Sequence, residues 1–195
     1  GWWYIDPRTG MVDFSYTGLA RNEFPGDDWY HYWYVENGQI NFNYNGFVTY
    51  TSRYNEPAVC YITGGQADAN VNGVYQLTVN GKTDWYGFWR GMTDYNEVQM
   101  NPNDGSWWYV RDGLVDFSYT GMGTRHDWTG DTSDTWYIRN GQVDFSYNGI
   151  LEYEVIDGPF VIPYQYHFVN GKLNEGLTGL YYTTVNGKTN WYGFQ

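Results

Sequence analysis

The residues of this chain best equipped for chemistry are aromatic rings set opposite oxygen-bearing side chains. A two-residue turn at Asp112-Gly113 pairs its flanking residues directly, so Tyr109 faces Asp116. The same register pairs Tyr34 with Asn41, Tyr137 with Asp144, Tyr61 with Asp68 and His167 with Asn174. A longer loop at 6–11 pairs Tyr4 with Asp13. A ring offers its face to the C–H surface of a sugar, and a neighbouring carboxylate or amide bonds the hydroxyls. The expected ligand array is Trp2, Tyr4 and Asp13; Tyr32, Tyr34 and Asn41; Trp107, Tyr109 and Asp116; Tyr137 and Asp144. Trp85, Tyr86, Trp191 and Tyr192 form a second candidate set, which capping of an array end explains equally well. The pairs would also recur if they were only cross-strand scaffold contacts.

Catalytic constellations are not legible. His31, His126 and His167 stand in unrelated contexts, and there is no phosphate-binding loop, zinc spacing or nucleophile elbow. Asp127, Asp131 and Asp134 carry oxygens suited to calcium, but their spacing matches no strong calcium loop, so no cofactor is expected. Paired carboxylates exist, as in any acidic chain, and nothing singles out two of them for glycoside hydrolysis. The expectation is a protein that is not an enzyme.

The rings are carried by a repeat. NGQVDFSYNG (140–149) returns as TGMVDFSYTG (9–18), NGQINFNYNG (37–46) and DGLVDFSYTG (112–121), each after an aromatic run. Asn-Gly or Asp-Gly recurs at 37–38, 80–81, 112–113, 140–141, 170–171 and 186–187 between Tyr-, Trp- and Val-rich stretches, the pattern of β-hairpins. Six units follow, 2–18, 32–46, 60–73, 107–121, 135–149 and 166–179, the third and sixth degenerate and each followed by a shared terminator (77–88 and 183–194). Alternation along the strands assigns Trp108, Val110, Val115, Phe117 and Tyr119 to the core face. An isolated hairpin is barely stable, so the units must stack. The predicted fold is all-β: tandem hairpins stacked as a β-solenoid-like array with almost no helix. Two homologous modules, 1–89 and 107–195, flank a polar connector at 90–106.

Composition narrows the partner. Aromatics are 22% of the chain, with 22 Tyr and 11 Trp, so the core must be built from rings. A net charge of −12 with ten scattered basic residues disfavours nucleic acid and anionic membranes. No stretch of about 18 apolar residues is present to insert in a membrane. The single cysteine, Cys60, is expected to be a small buried side chain. Repeats run to both ends, as in a segment of a larger multidomain protein.

The order of aromatic run, turn glycine and terminal Thr/Asn-Gly resembles the aromatic cell-wall-binding and glucan-binding repeats of Gram-positive bacteria, including the choline-binding repeats. The resemblance covers nearly the whole chain except 90–106 and about 155–165. It implies a β-hairpin solenoid that attaches secreted or surface proteins to wall polymers or glucans without catalysis. Choline sites in that family use a Trp directly after Thr-Gly as part of a cation cage. Leu19, Phe47, Met122 and Ile150 stand there instead, which leaves the cage incomplete. The expected ligand is therefore a glucan such as starch or dextran, or a wall polysaccharide. The competing expectation is a structural spacer or adhesin-type protein-interaction module.

Overall fold

The computed structural model describes residues 1–22, 31–52, 55, 57–93, 96–127, 132–157, 160–176, 179–185 and 188–194. They are all-β, hairpin-rich and without helix. Two compact units are formed by 1–96 with 110–115, and by 97–109 with 116–195.

In the first unit the strands are β1 (Gly18–Asn22), β2 (His31–Glu36), β3 (Gln39–Ile40), β4 (Gly46–Thr51), β5 (Pro57–Thr63), β6 (Gln66–Ala67), β7 (Gly73–Val79) and β8 (Lys82–Phe88). There follow β9 (Glu97–Met100), β10 (Trp107–Arg111) and β11 (Leu114–Val115). The second unit continues with β12 (Gly121–Asp127), β13 (Thr132–Arg139), β14 (Gln142–Val143), β15 (Gly149–Asp157), β16 (Phe160–Val169), β17 (Lys172–Leu173), β18 (Gly179–Val185) and β19 (Lys188–Phe194). The first unit contains a sheet in the order β1-β2-β6-β5-β4, with β3 on β2. In the second, β15-β16-β17-β13-β14 pair in that order, with β12 on β13.

All six expected cross-turn pairs form, each as a backbone hydrogen bond. Asp13, Asn41, Asp68, Asp116, Asp144 and Asn174 donate their N–H to the carbonyls of Tyr4, Tyr34, Tyr61, Tyr109, Tyr137 and His167 at 2.8–3.1 Å. Val110 opposes Val115, as the two-residue turn requires. The Asn80-Gly81 turn joins β7 to β8, whereas the dipeptide at 186–187 lies outside the described residues.

Strand alternation ends sooner than expected. After Asp116 the chain turns at once, with Tyr119 N–H bonded to Asp116 C=O at 3.2 Å. The Asp116 carboxylate accepts from the Ser118 N–H and hydroxyl at 3.0 and 2.6 Å, closing an Asx turn. Asp13 with Ser15 and Asp144 with Ser146 repeat it. Phe117 is consequently outside the core and 47% exposed, although Val110 and Val115 are buried as expected. Phe14, Phe42 and Phe145 are exposed in the same way.

The hairpins interlock through their turn glycines. Gly141 donates its N–H to Tyr119 C=O and accepts from Tyr109 N–H, both at 2.8 Å. Gly38 does the same with Tyr16 and Tyr4, Gly65 with Tyr44 and Tyr34, and Gly171 with Tyr147 and Tyr137. The contact is so close that a Cβ on Gly38 would lie 2.4 Å from Asp13 O. The Thr or Asn before each terminal glycine completes the joint: Thr17, Asn45, Thr120 and Asn148 accept from the N–H of Asn37, Gly64, Asn140 and Asn170.

Arg90-Gly91 is a further turn of this kind, with φ of 50° and 79°. It bonds to Tyr61 and Val71 through Gly91 and to the Asn72 side chain through the Arg90 N–H. It was not among the Asn-Gly and Asp-Gly dipeptides of the sequence pattern.

Among the described residues, three buried clusters contribute to the core. Val48, Cys60, Ile62 and Met92 form one, and Val59, Val79 and Phe88 a second, both in the first unit. Val98, Ile138 and Val143 form a third in the second unit. Cys60 is fully buried, as expected.

Candidate ring-cluster binding site

The tyrosines of the predicted ligand array turn inward. Tyr4 stacks on Tyr16 at 3.9 Å between ring centroids, Tyr109 on Tyr119 at 4.1 Å and Tyr137 on Tyr147 at 3.7 Å. Tyr34 lies against Tyr44 at 4.0 Å, its ring tilted by 34°. The lower tyrosine is fixed by its hydroxyl, which donates to the carbonyl three residues on: Tyr16 to Leu19, Tyr44 to Phe47, Tyr119 to Met122 and Tyr147 to Ile150, at 2.7–3.1 Å. Burial raises the Tyr16 and Tyr147 hydroxyl pKa, as it does for Tyr34. Tyr32 and Tyr34 pack on the first core cluster and Tyr109 on the third, while Tyr137 is 9% exposed.

Their partners are likewise committed to structure. Asp13, Asp116 and Asp144 close the turns described above, and Asn41 does so through its carbonyl to the Asn43 N–H at 3.0 Å. The Ser146 hydroxyl bonded to Asp144 holds its carboxyl below the usual range, with the Arg139 guanidinium 3.1 Å away adding to the effect. The Ser15 hydroxyl does the same for Asp13. The tyrosines and carboxylates thus meet through the backbone, and their side chains serve separate local tasks.

The phenylalanines of the turns face outward, whereas Trp33, Trp107, Trp108 and Trp136 are half-buried, and Trp107 and Trp136 pack on the third core cluster. The phenylalanine of each turn stands edge-on to the tryptophan just before the stacked tyrosine. The pairs are Trp3–Phe14, Trp33–Phe42, Trp108–Phe117 and Trp136–Phe145, at 5.4–5.7 Å and 69–74° between planes. Two of these pairs gain a third ring from the preceding hairpin. Trp2 lies 5.9 Å from Trp33 in the first unit, and Trp107 lies 5.2 Å from Trp136 in the second. The result is two triads at corresponding positions, Trp2–Trp33–Phe42 and Trp107–Trp136–Phe145, with the tryptophan planes at 39° in the first and 68° in the second, where Trp107 also lies 5.7 Å from Phe145. Trp2 and Trp107 belonged to the predicted array. Trp33, Trp136, Phe42 and Phe145 did not, although the aromatic residue before each Tyr was visible in the repeat.

Beside the first triad lies a cavity of about 540 Å³, lined among others by Trp2, Trp33, Arg21 and Asn22. That volume falls in the range of about 300–1,000 Å³ typical of small-molecule sites. The second candidate set is split. Trp85 and Tyr86 are half-buried, with Tyr86 paired to Leu114, whereas Trp191 is 63% exposed and lies 5.5 Å from Tyr182. Tyr192 bonds Lys188 C=O.

Among the described residues no group of three or more His, Cys, Asp or Glu side chains gathers as for a metal. Of the three aspartates considered for calcium, Asp134 pairs with Lys172 at 2.7 Å, Asp131 lies outside the described residues, and the Asp127 side chain is likewise not described. No described helix is long and apolar enough to cross a membrane.

No curated protein and no solved structure matches the chain. The choline-binding repeat family matches it in two segments, residues 102–116 and 131–144. Both run through an aromatic strand and its Asp-Gly or Asn-Gly turn to the turn-closing aspartate, Asp116 or Asp144, and so contain Trp107, Tyr109, Trp136 and Tyr137. In sequence and in hairpin architecture, the repeats of this chain are similar to choline-binding repeats.

Proposed function

We propose that this chain is a non-catalytic attachment module of a secreted or surface protein, which holds that protein to a wall polysaccharide or glucan of a Gram-positive cell. The observation that carries this reading is the recurrence of a ring group at corresponding positions of both units, with Trp2, Phe42 and Phe145 each nearly half exposed and Trp33, Trp107 and Trp136 half-buried beside them. Indole and phenyl faces suit the C–H surface of a sugar, and repeated weak sites give avidity on a polymer. The choline-binding repeat match supports attachment to a wall polymer. The net charge of −12 suits a neutral or cationic polymer better than an anionic one.

Retention on insoluble starch, dextran and purified cell walls tests the proposal. The chain is expected to be held by at least one of the three and released by soluble sugar. Passage through all three would end the glycan reading. A structural spacer is the second reading, favoured by the inward Tyr–Tyr stacks, which need no ligand to account for them. It predicts no retention at all.

A further inference from the structure

Arg125 on β12 opposes Asp134 on β13, and that register favours a cross-strand ion pair between them. The pair does not form. Asp134 Oδ1 is held instead by Lys172 Nζ at 2.7 Å, reaching from β17, where Lys172 opposes Trp136. The Arg125 guanidinium turns to the second unit's ring group and lies 4.7 Å from the centre of the Trp107 ring. The other described ion contacts of this unit, Arg139–Asp144 and His126–Glu97, do not involve Arg125.

Stacking leaves this charge available to a ligand. The guanidinium N–H donors lie in the plane of the group, so a face laid on an indole uses none of them. The ring fixes the plane, and the edge presents a fork that matches the two oxygens of a carboxylate. A fork held in place beforehand loses less freedom on binding than an unsupported arginine. Lys172 acts through Asp134: by pairing with it, the lysine keeps the chain's own carboxylate off the fork. Phe145, 5.7 Å from Trp107 and 47% exposed, supplies apolar surface alongside.

Building on the glycan reading above, we propose that Arg125, braced on Trp107, is a subsite for a carboxylate carried by the sugar ligand, with Lys172 as a positioning residue. The second unit then recognises an acidic saccharide. A net charge of −12 repels a densely anionic polymer, so the ligand is one whose acidic sugars are spaced among neutral ones.

Calorimetric titration of the whole chain with two matched probes tests this. One is a hexasaccharide of alternating glucuronate and N-acetylglucosamine, and the other is the same hexasaccharide with its carboxyls reduced to alcohols. The acidic probe should bind roughly tenfold tighter, as a charged hydrogen-bonded pair requires. That preference should shrink as salt rises, and the acidic probe should move the Arg125 Nε–H and Trp107 indole signals in NMR spectra. Arg125→Gln should remove the preference and leave the affinity for the reduced probe unchanged. Lys172→Gln frees Asp134 to take the fork, so it should also lower the preference, and adding Asp134→Asn should restore it. A merely structural role for Lys172 predicts no such rescue, and this pair of variants gives an independent answer if Arg125→Gln does not fold. In competition, glucuronate should displace the acidic probe better than glucose 6-phosphate. The reverse order overturns the carboxylate in favour of a phosphate. Equal affinity for the two probes, no binding of either, or a preference that survives Arg125→Gln overturns the proposal, while glycan attachment stands as long as starch, dextran or walls retain the chain. Passage through all three, with neither probe bound, overturns both.

Discussion

Tyr137 and Tyr147 lie ring on ring, with centroids 3.7 Å apart and planes 18° from parallel. Phe168 closes on both at 6.0 Å, and the Tyr147 hydroxyl reaches Ile150 C=O at 3.1 Å. One tyrosine therefore joins its own hairpin to the strand that begins the next. Its phenol bonds the strand, its ring packs beneath Tyr137, and its carbonyl accepts from Gly171.

Separating the ring from the hydroxyl measures each part of that joint. Tyr147→Ala removes a half-buried aromatic ring and should cost about 3–5 kcal/mol. Tyr147→Phe keeps the stack and loses one hydrogen bond, at a cost of about 1 kcal/mol. Urea unfolding of both variants checks the order. Equal losses would mean that the hydroxyl, not the ring, carries the joint.

The turn glycines separate backbone strain from steric exclusion. Gly81 has φ of +80°, and a Cβ there would meet nothing within 4 Å, so Gly81→Ala should cost only the left-handed penalty, about 1–2 kcal/mol. Gly141 has the same φ, but its Cβ would lie 2.5 Å from Asp116 O. Gly141→Ala must therefore also push the hairpins apart. It should destabilise the chain clearly more than Gly81→Ala and speed hydrogen exchange at the Tyr109 and Gly141 amides, which the joint protects.

The register of the hairpins was legible because Asn-Gly and Asp-Gly leave only one pairing of the neighbouring residues. Arg90-Gly91 escaped that signature, since an arginine at positive φ is not a usual first turn residue. The early end of the strands was written in the sequence as Asp-x-Ser, an Asx-turn pattern, but extending the alternation past Val115 carried Phe117 into the core. What local pattern could not provide was the interlock between units. The partner of Tyr109 N–H is Gly141 C=O, a backbone contact 32 residues away that no side chain announces. For the site, Trp2 and Trp107 were recognised. Their companions Trp33 and Trp136 were missed because the triad joins different positions of successive repeats.

Acid stability follows from two opposed groups of carboxyls. The Ser146 and Ser15 hydrogen bonds lower the Asp144 and Asp13 pKa from the ordinary 3.8. A lowered folded-state value gives stability that is complete above the unfolded pKa and lost as pH falls through the folded one. Glu97 behaves oppositely: burial raises its pKa above 4.5, against the hydrogen bond from Gln99 at 3.3 Å and the neighbouring His126 ring, whose Nδ1 lies 3.6 Å away. Its charged form costs stability, and that cost grows as pH rises through the raised value. Glu97→Gln should therefore stabilise the chain at pH above that value and make no difference in acid. Asp144→Asn should keep its turn, as Asn41 keeps the equivalent one, and remove part of the loss below pH 3.8. Unfolding midpoints across a pH series measure both slopes.

Two double variants distinguish the ring sets by fold and by binding. Tyr109→Ala with Tyr137→Ala removes two rings that pack inside the second unit, one of them only 9% exposed, so it should unfold that unit whatever the ligand. Trp2→Ala with Phe42→Ala removes two rings that are 48% and 47% exposed. Little packing is lost there, so the thermal midpoint should change much less. Retention on the polymer that holds the unaltered chain should nevertheless fall at least tenfold, a loss of about 1.4 kcal/mol. If the second variant stays folded and fully retained, the first unit's ring group is not the binding surface. Trp191 and Tyr182, exposed and 5.5 Å apart on the last hairpin, then become the rings to replace.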